Sequence, residues 1–279
     1  VVLPCSAKKP YSQSKSHQMF QKAIRRGAGT NYRQFHQIII TSPLGLIPRE
    51  LEKVFPAAHY DIPVTGDWDD TEIKTTAECL AHWLCKYQIK NKPLHVIAHL
   101  AGGYRKACMT AAVQLVEKFP NIASTIVFHY TIPGDVTYSA TNNSALIGLQ
   151  EIVQQVSESF PSVNKENPVN SITEDELIIR AAFDYQFGSG SGDVVIQNGA
   201  KLVRDRFPQY DEVLTFDGTG KILVGRIYNN SGLVRLTPQG GQFLSNCLKS
   251  KVIITEKELK GTTEFRPILQ DQDPNLNTN

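Results

Sequence analysis

No aspartate or glutamate occurs before Glu50, although residues 1–49 carry eight basic side chains, Lys8, Lys9, Lys15, Lys22, Arg25, Arg26, Arg33 and Arg49. The formal charge of +2 for the whole chain therefore hides a strongly basic opening segment. A block of this kind attracts polyanions through long-range steering and counterion release, which favours a nucleic-acid surface over an ordinary solvated helix face. Long apolar runs are also missing. The most apolar stretches, 94–100 and 126–130, fall well short of the roughly 18–20 residues that a membrane span needs. No membrane partner is expected, and the cytoplasm is the expected location. Five cysteines, at 5, 79, 85, 108 and 247, are an odd and scattered set, which suits a reduced intracellular protein and not a disulfide framework. No targeting signal is visible. The chain opens on a strand already under way, so residues upstream of Val1 are left open.

Two further absences bear on chemistry. Gly220-Lys221 lacks the glycine five residues earlier that a phosphate loop requires, so an ATP-driven route has no support and no cofactor is expected. Cys79, His82 and Cys85 stand at i, i+3 and i+6 of one helix, a spacing that drifts around the axis instead of converging. They are expected to be packed residues, with no metal site, and His99 at a strand end is expected to be a hydrogen-bonded core histidine.

What is present is concentrated at the start. Cys5, Lys9, Tyr11, Ser14 and His17 place a nucleophile, a cation, hydroxyls and a base in one short loop between the apolar run Val1-Val2-Leu3 and a helix carrying Met19, Phe20, Ala23 and Ile24. In an open α/β sheet such a loop lies at the carboxyl end of a strand, where ligands bind. Sulfur and imidazole are expected to meet in one common cavity. Further strands are expected at 36–41, 94–99 and 124–130. They alternate with a short helix over 48–55 and with helices beginning near 69, 102 and 143, giving a parallel sheet covered on both faces. Gly102 and Gly103, followed by Tyr104, Arg105 and Lys106 at a helix start, could cradle a phosphate or carboxylate, although such glycines often serve only the turn. The segment 161–170, poor in apolar residues, reads as a linker, and Thr173 to Glu176 is a capping box. The glycine-serine run 188–192 reads as flexible. Short strands at 213–216, 221–227, 233–237 and 251–254 suggest a small β-barrel, mildly basic with ten Lys or Arg against seven Asp or Glu over 193–260. The expected plan is an α/β catalytic core domain over 1–160, linker and helix over 161–192, a small barrel over 193–260 and a polar tail over 261–279.

The spacing Pro4-Cys5-x3-Lys9-Pro10-Tyr11-x2-Ser14-x2-His17 resembles the signature of the core domain of archaeosine synthase, the tRNA-modifying lysine transferase of archaea. The segments 42–51, 60–68, 102–105 and 184–188 are similar to the same family, and residues 201–258 resemble a PUA domain, a small RNA-binding barrel. The resemblance implies a parallel-sheet α/β/α core followed by a helical linker and a PUA-like β-barrel, without the transglycosylase-like N-terminal half of full-length members. It implies tRNA and free lysine as substrates, the lysine amine adding to the nitrile of 7-cyano-7-deazaguanine to form an amidine. A transglycosylase-like subunit and a downstream radical enzyme are the implied partners. Cys5 then either adds first as a thiolate or only lines the pocket while His17 acts as base; Lys9 or His17 tunes the thiol, and His17 or Tyr11 moves protons. By residue type, Arg105 with Gly102 and Gly103 would hold a carboxylate or phosphate, Asp61 or Asp67 the α-ammonium, and Tyr104 or Trp68 would stack on the base. Lys8, Lys15, Lys22, Arg25, Arg26, Arg33, Arg226 and Arg235 are the expected RNA contacts. The alternatives are a non-catalytic tRNA-binding subunit that delivers RNA to a transglycosylase-like partner, and a glycosylase-type nucleobase enzyme.

Overall fold

The computed structural model describes residues 1–60, 67–88, 92–134, 139–160, 173–197, 199–218 and 220–248, with the backbone of 257–259 and 262–264; Tyr87 and Asp205 are described by backbone alone. The chain divides into two units, Val1–Glu52 with Tyr60–Pro168, and Lys53–His59 with Val169–Asn279.

In the first unit, β1 (Val2–Pro4) leads through a 3-10 turn (Tyr11–Gln13) into α1 (Lys15–Ala28). Then come β2 (Ile38–Thr41), β3 (Gly45–Pro48), α2 (Asp70–Tyr87), β4 (Leu94–Ala98), α3 (Gly102–Lys118), α4 (Pro120–Ala123), β5 (Ile126–Tyr130) and α5 (Asn143–Glu158). The strands pair in the order β3-β2-β1-β4-β5, all parallel except β3, which pairs antiparallel with β2. Side chains alternate across the sheet as strand geometry demands. Val2, Ile40, Val96 and Ala98 pack with α2 and α3, while Leu3 and Ile97 pack with α1 and α5. Two helical layers thus enclose the sheet. Because β2 lies on one side of β1 and β4 on the other, the chain changes direction across the sheet there. The crevice at the carboxyl ends of β1 and β4 is therefore a topological switch point.

Local chemistry starts the helices. The Ser14 hydroxyl caps α1, Asp69 and Glu72 form a reciprocal capping box on α2, and Asn142 caps α5. Instead of a helix over 48–55, the structure has the strand β3 and a 3-10 turn, Arg49–Leu51, while Lys53–His59 groups with the second unit. Pro48 ends an edge strand, where a missing N–H costs no ladder bond. His99 is fully buried; its Nδ1 meets Thr131 Oγ1 at 2.6 Å and its Nε2 meets the Ala140 carbonyl at 2.7 Å, and burial lowers its pKa to about 4.

The second unit contains α6 (Glu174–Phe187), α7 (Ser191–Ile196), the antiparallel strands β6 (Lys201–Phe207), β7 (Tyr210–Asp217), β8 (Gly220–Tyr228) and β9 (Val234–Leu236), α8 (Pro238–Leu248), and a hairpin of β10 (Lys257–Leu259) and β11 (Thr262–Glu264). Thr173 and Glu176 form the capping box of α6. The glycine-serine run is an ordered turn between helices: a Cβ on Gly192 would sit 2.4 Å from the Arg180 Cα, and Gly188 and Gly190 have φ of 92° and 88°. Among the described residues β6 to β9 form one sheet in the order β6-β7-β8-β9, and β10 pairs with β11 separately. β6 is one strand more than the pattern suggested. The expected strand 251–254 and the linker 161–170 lie outside the described residues, as does the expected polar tail apart from Thr262–Glu264, which is paired.

Candidate functional site at the carboxyl ends of β1 and β4

Cys5 follows β1 directly, and its amide donates to the Ile40 carbonyl at 3.0 Å, extending the β1–β2 ladder into the loop. The thiol is half-buried and lies 3.0 Å from the Tyr104 hydroxyl, which comes from the first turn of α3 across the switch point. The Tyr60 hydroxyl neighbours the Cys5 side chain, whose proximity, after burial, helps to raise the Tyr60 pKa. It lies 2.8 Å from Thr41 Oγ1 and 2.5 Å from the Tyr11 hydroxyl. Lys9 completes the cluster, its Nζ donating to the Tyr60 carbonyl at 3.1 Å and sitting 3.5 Å from the centre of that ring. Burial is the leading cause that raises the pKa of Tyr11, Tyr60 and Tyr104, so all three hydroxyls stay protonated at neutral pH. The sulfur thus meets the neutral Tyr104 O–H and neighbours Tyr60, whose ring carries the Lys9 ammonium.

The α3 start shows why both glycines are there. Gly102 adopts φ of +54°, and a Cβ on Gly103 would lie 2.6–2.8 Å from three Trp68 side-chain atoms. Trp68 packs on that helix start with its ring centre 4.8 Å from that of Tyr104. Of the two expected stacking residues, Tyr104 meets the thiol and Trp68 packs on Tyr104, and Gly103 is required by close packing. Arg105 turns elsewhere: it donates to the Ile132 carbonyl, lies 4.6 Å over the Tyr130 ring and approaches Gly134. Its guanidinium braces the segment after β5. Asp67 is exposed ahead of α2, and Asp61 lies outside the described residues.

The remaining members of the opening motif turn inward. Tyr11 and His17 are fully buried, and Ser14 is 5% exposed. Ser14 Oγ accepts the His17 amide as the α1 cap. His17 packs against Tyr11 and Phe20, each with ring centres 5.3 Å away, and its Nδ1 is 2.7 Å from Arg49 Nη2. Desolvation first and the Arg49 charge second lower its pKa to about 3, offset only in part by the Pro4 carbonyl. Sulfur and imidazole consequently do not share an open cavity. No individual role is read from the sequence for Thr41, Glu52, Tyr60 or Arg49, although Arg49 and Tyr60 fall in the family-like segments 42–51 and 60–68; their roles arise from contacts distant in sequence.

The expected RNA contacts Lys8, Lys15, Lys22, Arg25, Arg26 and Arg33 are all exposed. On α1 they oppose the buried Phe20, Ala23 and Ile24, and Lys22, Arg25 and Arg26 line a shallow depression with Gln18 and Gln21. In the second unit, Tyr210 stands opposite Tyr228, and Arg226 stands opposite Glu212 on one strand and Arg235 on another. Arg226 lies over the Tyr210 ring at 5.1 Å and Arg235 over Tyr228 at 4.5 Å. Glu212 meets Arg226 at 3.7 Å and Arg206 at 3.3 Å, so part of this positive charge is balanced.

A family model described as a domain of unknown function, DUF5591, matches residues 1–130. The archaeosine synthase subunit alpha of Methanosarcina acetivorans is 34% identical over 100% of this chain and 40% of its own length. The subunit alpha of Thermococcus kodakarensis is 31% identical over 99% and 43%, and the archaeosine synthase of Methanocaldococcus jannaschii is 28% identical over 100% and 42%. The chain thus spans about two fifths of the length of these relatives. A crystal structure of AF0587, described as a protein of unknown function, superposes with a TM-score of 0.52 at 20% identity, covering 94% of this chain and 76% of the other, and shares the fold. Along its whole length the chain is similar to a segment of the archaeosine synthases.

Proposed function

We propose that the chain acts in archaeosine biosynthesis as a tRNA-modifying enzyme that joins free lysine to the nitrile of 7-cyano-7-deazaguanine in tRNA. The observation that carries this reading is the Cys5 thiol, half-buried at the switch point, 3.0 Å from the Tyr104 hydroxyl and with Tyr60 as a neighbour. A nitrile carbon is a modest electrophile. It needs a good nucleophile and a proton for its nitrogen. In this scheme the Cys5 sulfur bonds to the nitrile carbon as the nitrile nitrogen takes a proton, giving a thioimidate. The neutral lysine ε-amine then adds to the same carbon, the carbon–sulfur bond breaks, and the amine gives up one proton. The net reaction adds an N–H across the nitrile to form an amidine, with no other product. Tyr104 and Tyr60, kept protonated by burial, are the proton donors within reach of sulfur, and Lys9 supports the thiolate through space. Trp68 offers an aromatic face beside Tyr104 for the deazapurine.

The basic face of α1 and the Arg-Tyr rows of β7, β8 and β9 supply charge and stacking for tRNA. A transglycosylase-like subunit and a downstream radical enzyme are proposed as partners. The test is incubation with lysine and nitrile-bearing tRNA, followed by mass analysis of the nucleosides. A lysine-dependent mass gain that Cys5→Ala abolishes supports the transferase; no gain, with a transglycosylase-like protein added too, overturns it. The Arg-Tyr rows also favour a second reading, a tRNA-binding subunit without chemistry of its own. That reading requires equal tRNA affinity for wild type and Cys5→Ala, with no lysine adduct from either.

A further inference from the structure

His17 is the member of the opening motif whose surroundings least resemble those of a proton-transfer group. It is sealed from solvent, and Arg49 lies against its Nδ1 at 2.7 Å. A guanidinium has donors and no acceptor, so Nδ1 must present its lone pair and the ring proton must sit on Nε2. A neutral imidazole in that tautomer has no second lone pair to offer. Accepting a proton would create a second cation beside Arg49. Arg49 is itself gripped: its Nη1 donates to Glu52 Oε2 at 2.8 Å, its Nε to Gln37 Oε1 at 3.3 Å, and its backbone amide to the Gln37 carbonyl at 2.9 Å. The Arg49–Glu52 pair is nearly buried, with side chains 12% and 6% exposed. Glu52 Oε2 also accepts the Ser12 amide at 3.0 Å, from the middle of the loop between Cys5 and His17. A half-broken buried pair would leave an uncompensated charge, so the three groups stand or fall together.

We propose that His17 is a positioning residue: as a neutral acceptor it locks the Arg49–Glu52 pair, which clamps the Cys5 loop through the Ser12 amide. Four points of the chain are joined in this way, the motif loop, the first turn of α1, the residue before β2 and the turn after β3. None of the groups that do the joining touches the thiol. The effect on chemistry, resting on the transferase reading, is to hold Cys5 against Tyr104 and Tyr60.

The test separates an acceptor from a base. In His17→Asn the side-chain carbonyl takes the place of Nδ1 and can still accept from Arg49, whereas His17→Leu fills similar space with no acceptor. The first readout needs no tRNA: the rate of Cys5 alkylation by iodoacetamide, resolved by peptide mass spectrometry, with the exposed Cys79 and Cys247 as internal references. His17→Leu is expected to raise the Cys5 rate about tenfold, the scale set by losing a hydrogen bond to a charged group, and His17→Asn to leave it near wild type. The second readout is the nitrogen-15 spectrum of the wild-type imidazole, expected to show the proton on Nε2. The third is lysine transfer, expected to survive in His17→Asn and fall in His17→Leu. If His17→Asn keeps the wild-type alkylation rate yet loses transfer as completely as His17→Leu, the imidazole is needed for its chemistry and the proposal is overturned while the transferase reading stands. If His17→Leu matches wild type in alkylation, or the proton is found on Nδ1, the clamp is overturned. If wild type transfers no lysine, the first two readouts still decide the clamp. Should His17→Leu not fold, Arg49→Lys carries the same test, since an ammonium cannot span both acceptors in the fork geometry of a guanidinium; an unchanged Cys5 rate in that variant overturns the proposal.

Discussion

Substituting Gly103 by alanine probes the packing that brings Tyr104 to Cys5. The added methyl would lie 2.6 Å from Trp68 Cγ, 2.7 Å from its Cβ and 2.8 Å from its Cδ1. Two of these atoms sit close to the Trp68 backbone, so the ring cannot swing clear by rotating a distant bond. Either Trp68 or the first turn of α3 must shift. Overpacking of this kind costs about 1–3 kcal/mol, and separating the Trp68 and Tyr104 rings forfeits about 0.5–1.5 kcal/mol more. For a chain of this size each kcal/mol lowers Tm by roughly 2–4 °C, so a loss of about 2 kcal/mol predicts a fall of roughly 4–8 °C. The neighbouring Gly102→Ala is the control. Nothing lies within 4 Å of its Cβ position, and its cost is confined to a left-handed φ of +54°, about 1–2 kcal/mol. Calorimetry gives the Tm values, and Trp68 emission, measured in a Trp83→Phe background, reports the ring. Gly103→Ala should move the emission and Gly102→Ala should leave it in place. An unchanged Tm and spectrum for Gly103→Ala would refute the close packing, and with it the account of why Tyr104 stands beside the thiol.

Removing the Ser14 cap by Ser14→Ala should cost about 1 kcal/mol with the Cys5 environment largely kept; a catalytic role for that hydroxyl would instead show as lost turnover at unchanged stability. His17 and His99, whose pKa values are lowered from 6.5 to about 3 and about 4, should remain neutral in proton NMR spectra down to pH 5. Between pH 6.5 and those values the unfolded chain binds protons that the folded chain does not, so stability is full above pH 6.5 and declines as pH falls. A His17 midpoint near 6 would contradict the sealed environment. If Arg235 contacts a phosphate, Arg235→Ala should weaken tRNA binding and reduce the slope of log affinity against log salt by about 1. Arg226→Ala should lower the slope by less than 1, because Glu212 balances part of that charge.

Sequence by itself determined the elements whose cause is local. The apolar spacing of Phe20, Ala23 and Ile24 beside a row of basic residues makes α1 amphipathic wherever it lies, and Thr173 with Glu176 starts α6 from within one turn. Alternation of apolar strands with helices was enough to imply a parallel sheet between two helical layers. Only the tertiary structure decided what depends on partners distant in the chain. β3 exists because β2 offers it an edge; its last residue, Pro48, reads in the sequence as the start of a helix. The opening motif reads as one cluster of reactive groups, yet folding divides it: the β1 ladder carries Cys5 to Tyr104 and Tyr60, while Arg49 and Glu52 take up His17 and the Ser12 amide in the interior. Spacing along a loop says which groups are near each other in sequence. Whether a side chain faces solvent or core is settled by the elements packed over it, and those come from elsewhere in the chain.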